Sequence, residues 1–169
     1  MRTITIKPAA ITHNVAQVKK LAPTAKVLAM VKANAYGHGV AAVLPALQQG
    51  EQQADGIGVA TLMEALEARQ LGWDKTIGLI EGEITAKEWQ LAIEHDISCV
   101  SHHEPQLNWA LENTPPISSA TRVVWLKYNT GMNRLGFNDQ TLIPADKRLH
   151  KAGYQLILTT LLANADDRA

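Results

Sequence analysis

The sequence has little cysteine and few aromatic residues, and it carries no net charge. Cys99 is its single cysteine, and only 5% of the 169 residues are aromatic. One cysteine excludes an internal disulfide and fits a reducing compartment. Lysine plus arginine number 16, as do aspartate plus glutamate, so the formal net charge is zero. This balance gives no electrostatic reason to bind nucleic acid or an anionic membrane.

Long hydrophobic runs and metal-binding spacings are also missing. No stretch approaches the roughly 20 apolar residues that a membrane span needs. The first ten residues, MRTITIKPAA, lack the apolar core of a signal peptide. We therefore expect a soluble, cytoplasmic protein. No C-x-x-C or H-x-x-x-H spacing occurs, and the adjacent His102 and His103 would face different directions on a helix, so we expect no metal site.

What the sequence does contain is a series of short apolar runs. They lie at 26–31, 56–60, 76–80, 97–100, 122–128 and 155–160. Most are continuous rather than alternating, which is typical of strands buried on both faces of a parallel sheet. Segments of helical period separate them, so the pattern predicts repeated strand–helix units.

Local signals mark where the helices begin. Capping boxes of the form S/T-x-x-E start at Thr61, Thr85 and Ser101, each just after a predicted strand. A first helix is predicted to begin near Pro8, because proline is favoured at the first helical position. The weakest segment is 138–153, where Pro144 is expected to interrupt a helix.

Two architectures fit this pattern, an open doubly wound sheet and a (β/α)₈ barrel. No G-x-G-x-x-G follows the first strand, which counts against a dinucleotide-binding sheet. A complete barrel has eight strands and typically about 250 residues. Six runs therefore predict a partial (β/α)₈ barrel of about six parallel strands alternating with helices. We expect residues 1–169 to form one such incomplete domain.

The stretch AMVKANAYGHG, at 29–39, ends an apolar run on Lys32. Catalytic groups of (β/α)₈ barrels lie at the carboxyl ends of strands. An amine there can attack a carbonyl to form a Schiff base, and Tyr36 could donate its hydroxyl to a phosphate. The alternative is that Lys32 simply reaches water and Tyr36 packs on the barrel rim. Glu81 also follows a strand and could face the barrel mouth.

A second stretch, WLKYNTGMNRLGF at 125–137, places Lys127 inside an apolar strand. A bare ammonium is costly there unless it is paired or chemically altered. Arg134, beyond a polar turn, could direct a fixed cation at an anionic group. The alternative is a surface loop with a solvated arginine.

Together these stretches resemble the two signatures of bacterial alanine racemases. VKANAYGHG is similar to the cofactor-lysine signature, and KYNTGMNRLGF to K-x-D-T-G-M-x-R-L-G. The resemblance runs from about residue 3 to the end and includes GVATLMEALEAR and LIEG. It implies a pyridoxal 5′-phosphate (PLP) enzyme that interconverts L- and D-alanine for the cell wall. It also implies an N-terminal barrel, a separate C-terminal β domain and a homodimer.

The resemblance further implies roles for individual residues. Lys32 would hold PLP as a Schiff base and act as one of two proton-transfer bases. Tyr36 would bind the cofactor phosphate, and Arg134 the phenolic oxygen of PLP. Lys127 would be carbamylated and orient Arg134. The second base of the family is a tyrosine from the partner subunit's C-terminal domain.

The sequence departs from the family pattern at named positions. Asn129 stands where the second signature usually has aspartate, and Leu161 where histidine is usual in T-H-F-A-x-A-D. The last two barrel strands and the C-terminal domain are not in these 169 residues, so we expect a truncated alanine racemase that needs a second base from elsewhere for full racemisation. The alternatives are a PLP-binding barrel module and a non-catalytic, self-associating fragment.

Overall fold

Helices and strands alternate along the whole of the computed structural model, which describes residues 4–81, 85–116, 119 and 122–162. The chain forms two compact units, a first unit, Met1–Glu83, and a second unit, Ile84–Ala169. Within the described ranges, no helix has the length and apolar character needed to cross a membrane.

The first unit is built on three parallel strands. Its elements are α1 (Pro8–Leu21), β1 (Leu28–Met30), α2 (Lys32–Tyr36), α3 (Val40–Leu47), β2 (Gly56–Val59), α4 (Leu62–Gln70) and β3 (Thr76–Leu79). The strand order is β1-β2-β3, and Ile57 lies opposite Ile77 in the register.

Burial explains why β2 and most of β3 read as continuous apolar runs. Every residue of β2 is buried, and Ile57 and Ile77 are fully inaccessible. Leu44 of α3 and Trp73, which follows α4, are each 1% exposed and complete the core. A strand covered on both faces leaves no position for a polar side chain, so alternation disappears.

The second unit repeats the pattern. Its elements are α5 (Ala86–Glu94), β4 (Ile97–Ser101), α6 (Glu104–Glu112), β5 (Val123–Lys127), α7 (Asp139–Lys151) and β6 (Gln155–Thr159). The strands pair in parallel in the order β4-β5-β6, with Lys127 opposite Thr159. The prediction of parallel strands alternating with helices is confirmed in both units.

Two of the three predicted capping boxes are confirmed, and the third is wrong. Thr61 and Thr85 cap α4 and α5, and Glu64 and Glu88 complete the boxes. Ser101 does not cap a helix, because it is the fully buried last residue of β4 and pairs with Leu126. Because Ser101 is part of the sheet, α6 begins only at Glu104.

The helix cap next to β4 is therefore His103. Its Nδ1 accepts a hydrogen bond from the backbone N–H of Gln106, and α6 starts at Glu104. A histidine cap has no strong sequence signature. This explains why the serine motif was the more visible signal.

The predicted interruption at Pro144 is also wrong. α7 runs without a break through Pro144, which lies in its second turn. Proline there removes one backbone donor, and the rest of the helix is intact. The Asn138 side chain caps the helix by accepting hydrogen bonds from the N–H groups of Gln140 and Thr141, at 3.1 and 3.0 Å. The first helix begins at Pro8, as predicted.

Candidate functional site

Lys32 lies just beyond the carboxyl end of β1, and its amine is paired. The Nζ atom donates to Glu81 Oε2 at 3.0 Å, and both side chains are 26% exposed. Glu81 follows β3, which lies two strands away in the same parallel sheet. Parallel strands bring their carboxyl ends to one edge, so the two side chains meet there. The sequence indicated only that Glu81 could face this edge, and the ion pair is new.

The residues after Lys32 form a left-handed helical turn. Ala33, Asn34, Ala35 and Tyr36 all have φ between 52° and 54°. The turn ends at Gly37, whose φ is 81°. L-amino acids lose about 1–2 kcal/mol per residue in this conformation, and consecutive examples are rare. Strain of this kind persists only where the surroundings hold it and is concentrated at functional sites.

The side chains of Asn34, within the turn, and of His38, just after it, help to hold the turn. Asn34 Oδ1 accepts the N–H of Val40 at 2.7 Å, so the turn is tied to the start of α3. His38 Nδ1 contacts the carbonyl oxygen of Ala35 at 2.8 Å. Tyr36, the last left-handed residue, is 58% exposed. The left-handed residues therefore precede Gly37, the first glycine of this segment.

Lys127 and Arg134, the predicted pair of the second stretch, line one small cavity of the second unit. Lys127 is the last residue of β5 and is 6% exposed. The cavity has a volume of about 10 Å³, and Leu161 also lines it. A space of this size holds about one water molecule. Leu161 contributes an apolar wall to this cavity, at the position where the resembled signature usually has histidine.

Asn129 shapes the loop that carries Arg134. Its Oδ1 accepts the N–H groups of Gly131 and Asn133 at 3.1 and 3.0 Å. Its amide nitrogen donates to Asn133 Oδ1 at 2.9 Å, a bond that an aspartate could not donate. The departure from the family signature at Asn129 is therefore accommodated inside the loop.

Gly136 returns this loop to the strand end. A Cβ on Gly136 would lie 2.7 Å from the backbone nitrogen of Asn129, and φ is 118°, so only glycine fits. The backbone of Phe137 then donates to the Lys127 carbonyl at 2.8 Å and accepts from Asn129 at 2.9 Å. These bonds hold the loop against the end of β5.

His102, which the sequence analysis set aside, belongs to the electrostatic surroundings of Lys127. Burial, and to a lesser extent the charges of His103 and Lys127, lowers the pKa of His102 to about 4. Gln106 Oε1 accepts the backbone N–H of His102 at 2.9 Å. The Gln106 amide nitrogen, 3.2 Å from His102 Nε2, must then donate to it, so the ring is neutral. Its position immediately after a buried strand was the signal that could have identified it.

The structure thus places the four predicted site residues in two pairs. Lys32 and Tyr36 lie at the two ends of α2, in the first unit. Lys127 and Arg134 line one cavity in the second unit. Lys32 follows the end of β1, and Lys127 is the last residue of β5, so it lies inside a strand as the sequence predicted.

Comparison with known proteins identifies relatives over nearly the whole chain. Residues 6–169 match the family described as alanine racemase, N-terminal domain. An alanine racemase from Psychrobacter sp. (strain PRwf-1) is 52% identical over 165 residues. That alignment covers 97% of this chain and 43% of the relative, so the chain spans less than half of the relative's length.

Solved structures agree with this match. The alanine racemase of Acinetobacter baumannii has a TM-score of 0.89 and 41% identity, covering 100% of this chain and 47% of that protein. A histidine racemase from Leuconostoc mesenteroides subsp. sake has a TM-score of 0.78 and 27% identity, covering 94% of this chain and 42% of that protein. The likeness confirms the predicted partial (β/α)₈ barrel class.

Proposed function

Because the chain belongs to the family of the alanine racemase N-terminal domain, we propose that it is the PLP-binding part of an enzyme that interconverts L- and D-alanine. The single observation that carries this proposal is Lys32, an accessible amine at a strand end within a family-matched segment. Alanine is favoured as substrate because the Psychrobacter alanine racemase is 52% identical, whereas the histidine racemase is 27% identical.

The residues of the first unit suit PLP chemically. PLP presents an aldehyde, which a primary amine attacks, and a phosphate, which a hydroxyl donor binds. The Lys32 amine is partly exposed, and Tyr36 carries an exposed phenol at the other end of the same turn. PLP, when bound, supplies an electron sink that lowers the barrier to removing the α-proton of an amino acid. Lys32 would attach the cofactor and then move a proton at the α-carbon.

The residues of the second unit support a carbamylated lysine. Lys127 is 6% exposed and shares a cavity with Arg134. Loss of one proton from the Lys127 ammonium gives the neutral amine, and addition of CO₂ to that amine releases a second proton, so carbamylation would replace a buried positive charge by a negative one. That charge would attract the Arg134 guanidinium and fix its direction. Arg134 would then contact the phenolic oxygen of PLP.

Further parts of the proposal concern the whole protein. We propose that residues 1–169 are one incomplete barrel domain and that the complete enzyme is a cytoplasmic homodimer. It would supply D-alanine for the cell wall. The second proton-transfer base would come from outside this chain. Cys99 is buried, and burial raises the pKa of its thiol to about 12, so the thiol stays protonated and inert.

The test is covalent trapping of PLP on the purified chain. The chain is mixed with PLP, reduced with borohydride, digested and mapped by mass spectrometry. We expect the pyridoxyl group on Lys32 and not on exposed lysines such as Lys26. Label spread over surface lysines, or no label, would contradict the proposal.

A second measurement separates a racemase from a PLP-binding module. The PLP-loaded chain is incubated with L-alanine in D₂O, and deuterium at the α-carbon is followed by NMR. One base suffices for exchange, so we expect exchange faster than with free PLP. PLP trapped on Lys32 without any exchange would favour the binding module over the racemase.

A further inference from the structure

Glu64 makes more hydrogen bonds than its capping box requires. The box itself joins Glu64 Oε2 to the N–H of Thr61 at 3.2 Å, and Thr61 Oγ1 to the N–H of Glu64 at 3.3 Å. Oε2 also accepts the N–H of Ala60 at 2.8 Å. The other oxygen, Oε1, accepts the N–H of Ala33 at 2.7 Å. One carboxylate therefore ties the start of α4 to the residue that follows Lys32.

The capping box of α5 provides a comparison within the same chain. Glu88 Oε2 accepts the N–H of Thr85 at 2.7 Å, and Thr85 Oγ1 accepts the N–H of Glu88 at 3.2 Å. Among the described residues, all hydrogen bonds of the Glu88 side chain stay inside this box. At Glu88 the motif is therefore only a helix cap. At Glu64 the same motif also forms a long-range hydrogen bond, to Ala33.

The position of this tie is what gives it functional meaning. Ala33 is the first residue of the strained left-handed turn and is directly bonded to Lys32. The Ala33 N–H donates to a charged acceptor, and hydrogen bonds to ionised groups are the strong ones. A fixed Ala33 limits the directions that the adjoining Lys32 side chain can take.

The arrangement also requires a carboxylate specifically. Glu64 uses one oxygen for Ala33 and the other for the two N–H groups of Ala60 and Thr61. A glutamine of the same shape has only one acceptor oxygen and two donors on its nitrogen. It can therefore keep the cap or the tie, and it cannot keep both.

We propose that Glu64 is a positioning residue for Lys32. Through Ala33 it holds the left-handed turn and thereby keeps the Lys32 amine at the strand edge, where it meets Glu81. In the complete enzyme the same contact keeps Lys32 aligned for PLP. This part of the inference rests on the proposed function.

The experiment compares Glu64→Gln with the matched variant Glu88→Gln, each in the full chain. Both remove one carboxylate from a capping box, so both carry a similar loss of helix-cap stability. Circular dichroism and thermal unfolding establish that each variant folds. Two readouts then follow, amide hydrogen exchange over 32–37 and the ratio of borohydride-trapped PLP on Lys32 to that on other lysines.

We expect Glu64→Gln to speed exchange in the turn by about tenfold and to lower the trapping ratio by about tenfold, the size expected for losing a bond to a charged group. Glu88→Gln should change neither. If both variants changed exchange and trapping equally, Glu64 would act only as a helix cap, and the inference would be overturned. Unchanged exchange and trapping in Glu64→Gln would overturn it as well.

The two proposals fail in different ways. If the unmodified chain traps no PLP on Lys32, the proposed function fails, and so does the alignment of Lys32 for PLP. Exchange over 32–37 needs no cofactor, so it still decides whether Glu64 holds the turn. Should a Glu64→Gln chain fail to fold, Glu64→Asp takes its place. Aspartate keeps the negative charge, but its side chain is too short to reach the N–H of Ala33. If amide exchange over 32–37 were then as slow as in the unmodified chain, the proposed role of the Glu64–Ala33 hydrogen bond would be wrong.

Discussion

Lys32 and Lys127 are the same residue type at the same kind of position, the carboxyl end of a parallel strand, and their surroundings are opposite. The Lys32 side chain is 26% exposed and faces the Glu81 carboxylate at 3.0 Å. Lys127 is 6% exposed and lies next to a cavity that holds about one water molecule. Topology decides where a strand-end group lies, and the neighbouring side chains decide whether it can reach a ligand. An accessible amine suits covalent attachment, whereas a buried one suits a fixed structural charge.

The largest difference expected between Lys32 and Lys127 is in covalent labelling by PLP. Lys32→Met should abolish PLP trapping at position 32, and the label should not move to Lys127, because burial keeps that amine from the aldehyde. Mass spectrometry after borohydride reduction measures both. Lys26→Met, at an exposed position, is the control and should leave the label on Lys32. A label on Lys127 would mean that burial does not keep this amine from the aldehyde.

The next effect is on stability. Lys127→Ala should lower the free energy of unfolding by about 2–3 kcal/mol, because it removes a buried aliphatic stem and leaves a cavity. Lys32→Ala should cost less than about 1 kcal/mol, since its ion pair is partly solvated. Urea denaturation measures both values. Equal losses would mean that burial does not distinguish the two lysines.

A smaller effect concerns the ion pair of Lys32. Glu81→Gln should reduce the free energy of unfolding by less than about 1 kcal/mol at low salt. Most of that difference should vanish in 1 M salt, where the Debye length is about 3 Å. Unfolding curves at both salt concentrations test this. A loss that does not respond to salt would indicate that Glu81 acts through packing.

The smallest effect is a change in the pKa of His102. Burial is the main cause of the low value, about 4, and the Lys127 charge is a lesser one. Lys127→Met should therefore raise the pKa of His102, but not back to 6.5. Carbamylation of Lys127 would replace a positive by a negative charge and raise it further, so bicarbonate should move it in the same direction. NMR titration of the imidazole measures these shifts, with Lys147→Met as an exposed control.

The low pKa of His102 also sets a pH range for stability. Its folded value lies below the unfolded value of 6.5, so the unfolded chain binds the proton first. Stability should fall as the pH drops from about 6.5 to about 4. Replacing His102 with asparagine should flatten this part of the stability–pH curve. An unchanged slope would mean that His102 does not titrate as its surroundings imply.

The repeated strand–helix units could be predicted from local sequence patterns. Continuous apolar runs predicted the six parallel strands, and the reason is clearest in β2 and β4, where every residue is buried and must be compatible with a covered face. The boxes at Thr61 and Thr85 and the proline at Pro8 fixed helix starts, because these signals act within a few residues. The two signature stretches are also the source of the four candidate site residues, whose roles stay predictions. The same local reasoning failed at Ser101 and Pro144, where sheet pairing and an unrecognised Asn138 cap prevailed.

Tertiary structure alone decided which partners these residues meet. Lys32 and Glu81 are 49 positions apart, and Ala33 and Glu64 are 31 apart. No local pattern encodes such contacts, since they depend on how strand ends are aligned by the sheet. The left-handed turn after Lys32 is likewise invisible in sequence, because alanine, asparagine and tyrosine adopt it only when bonds from elsewhere hold it. The sequence specifies which functional groups stand at each strand end. Packing in three dimensions sets where those groups point, as for Lys32 at Glu81, and which protonation state they hold, as for His102.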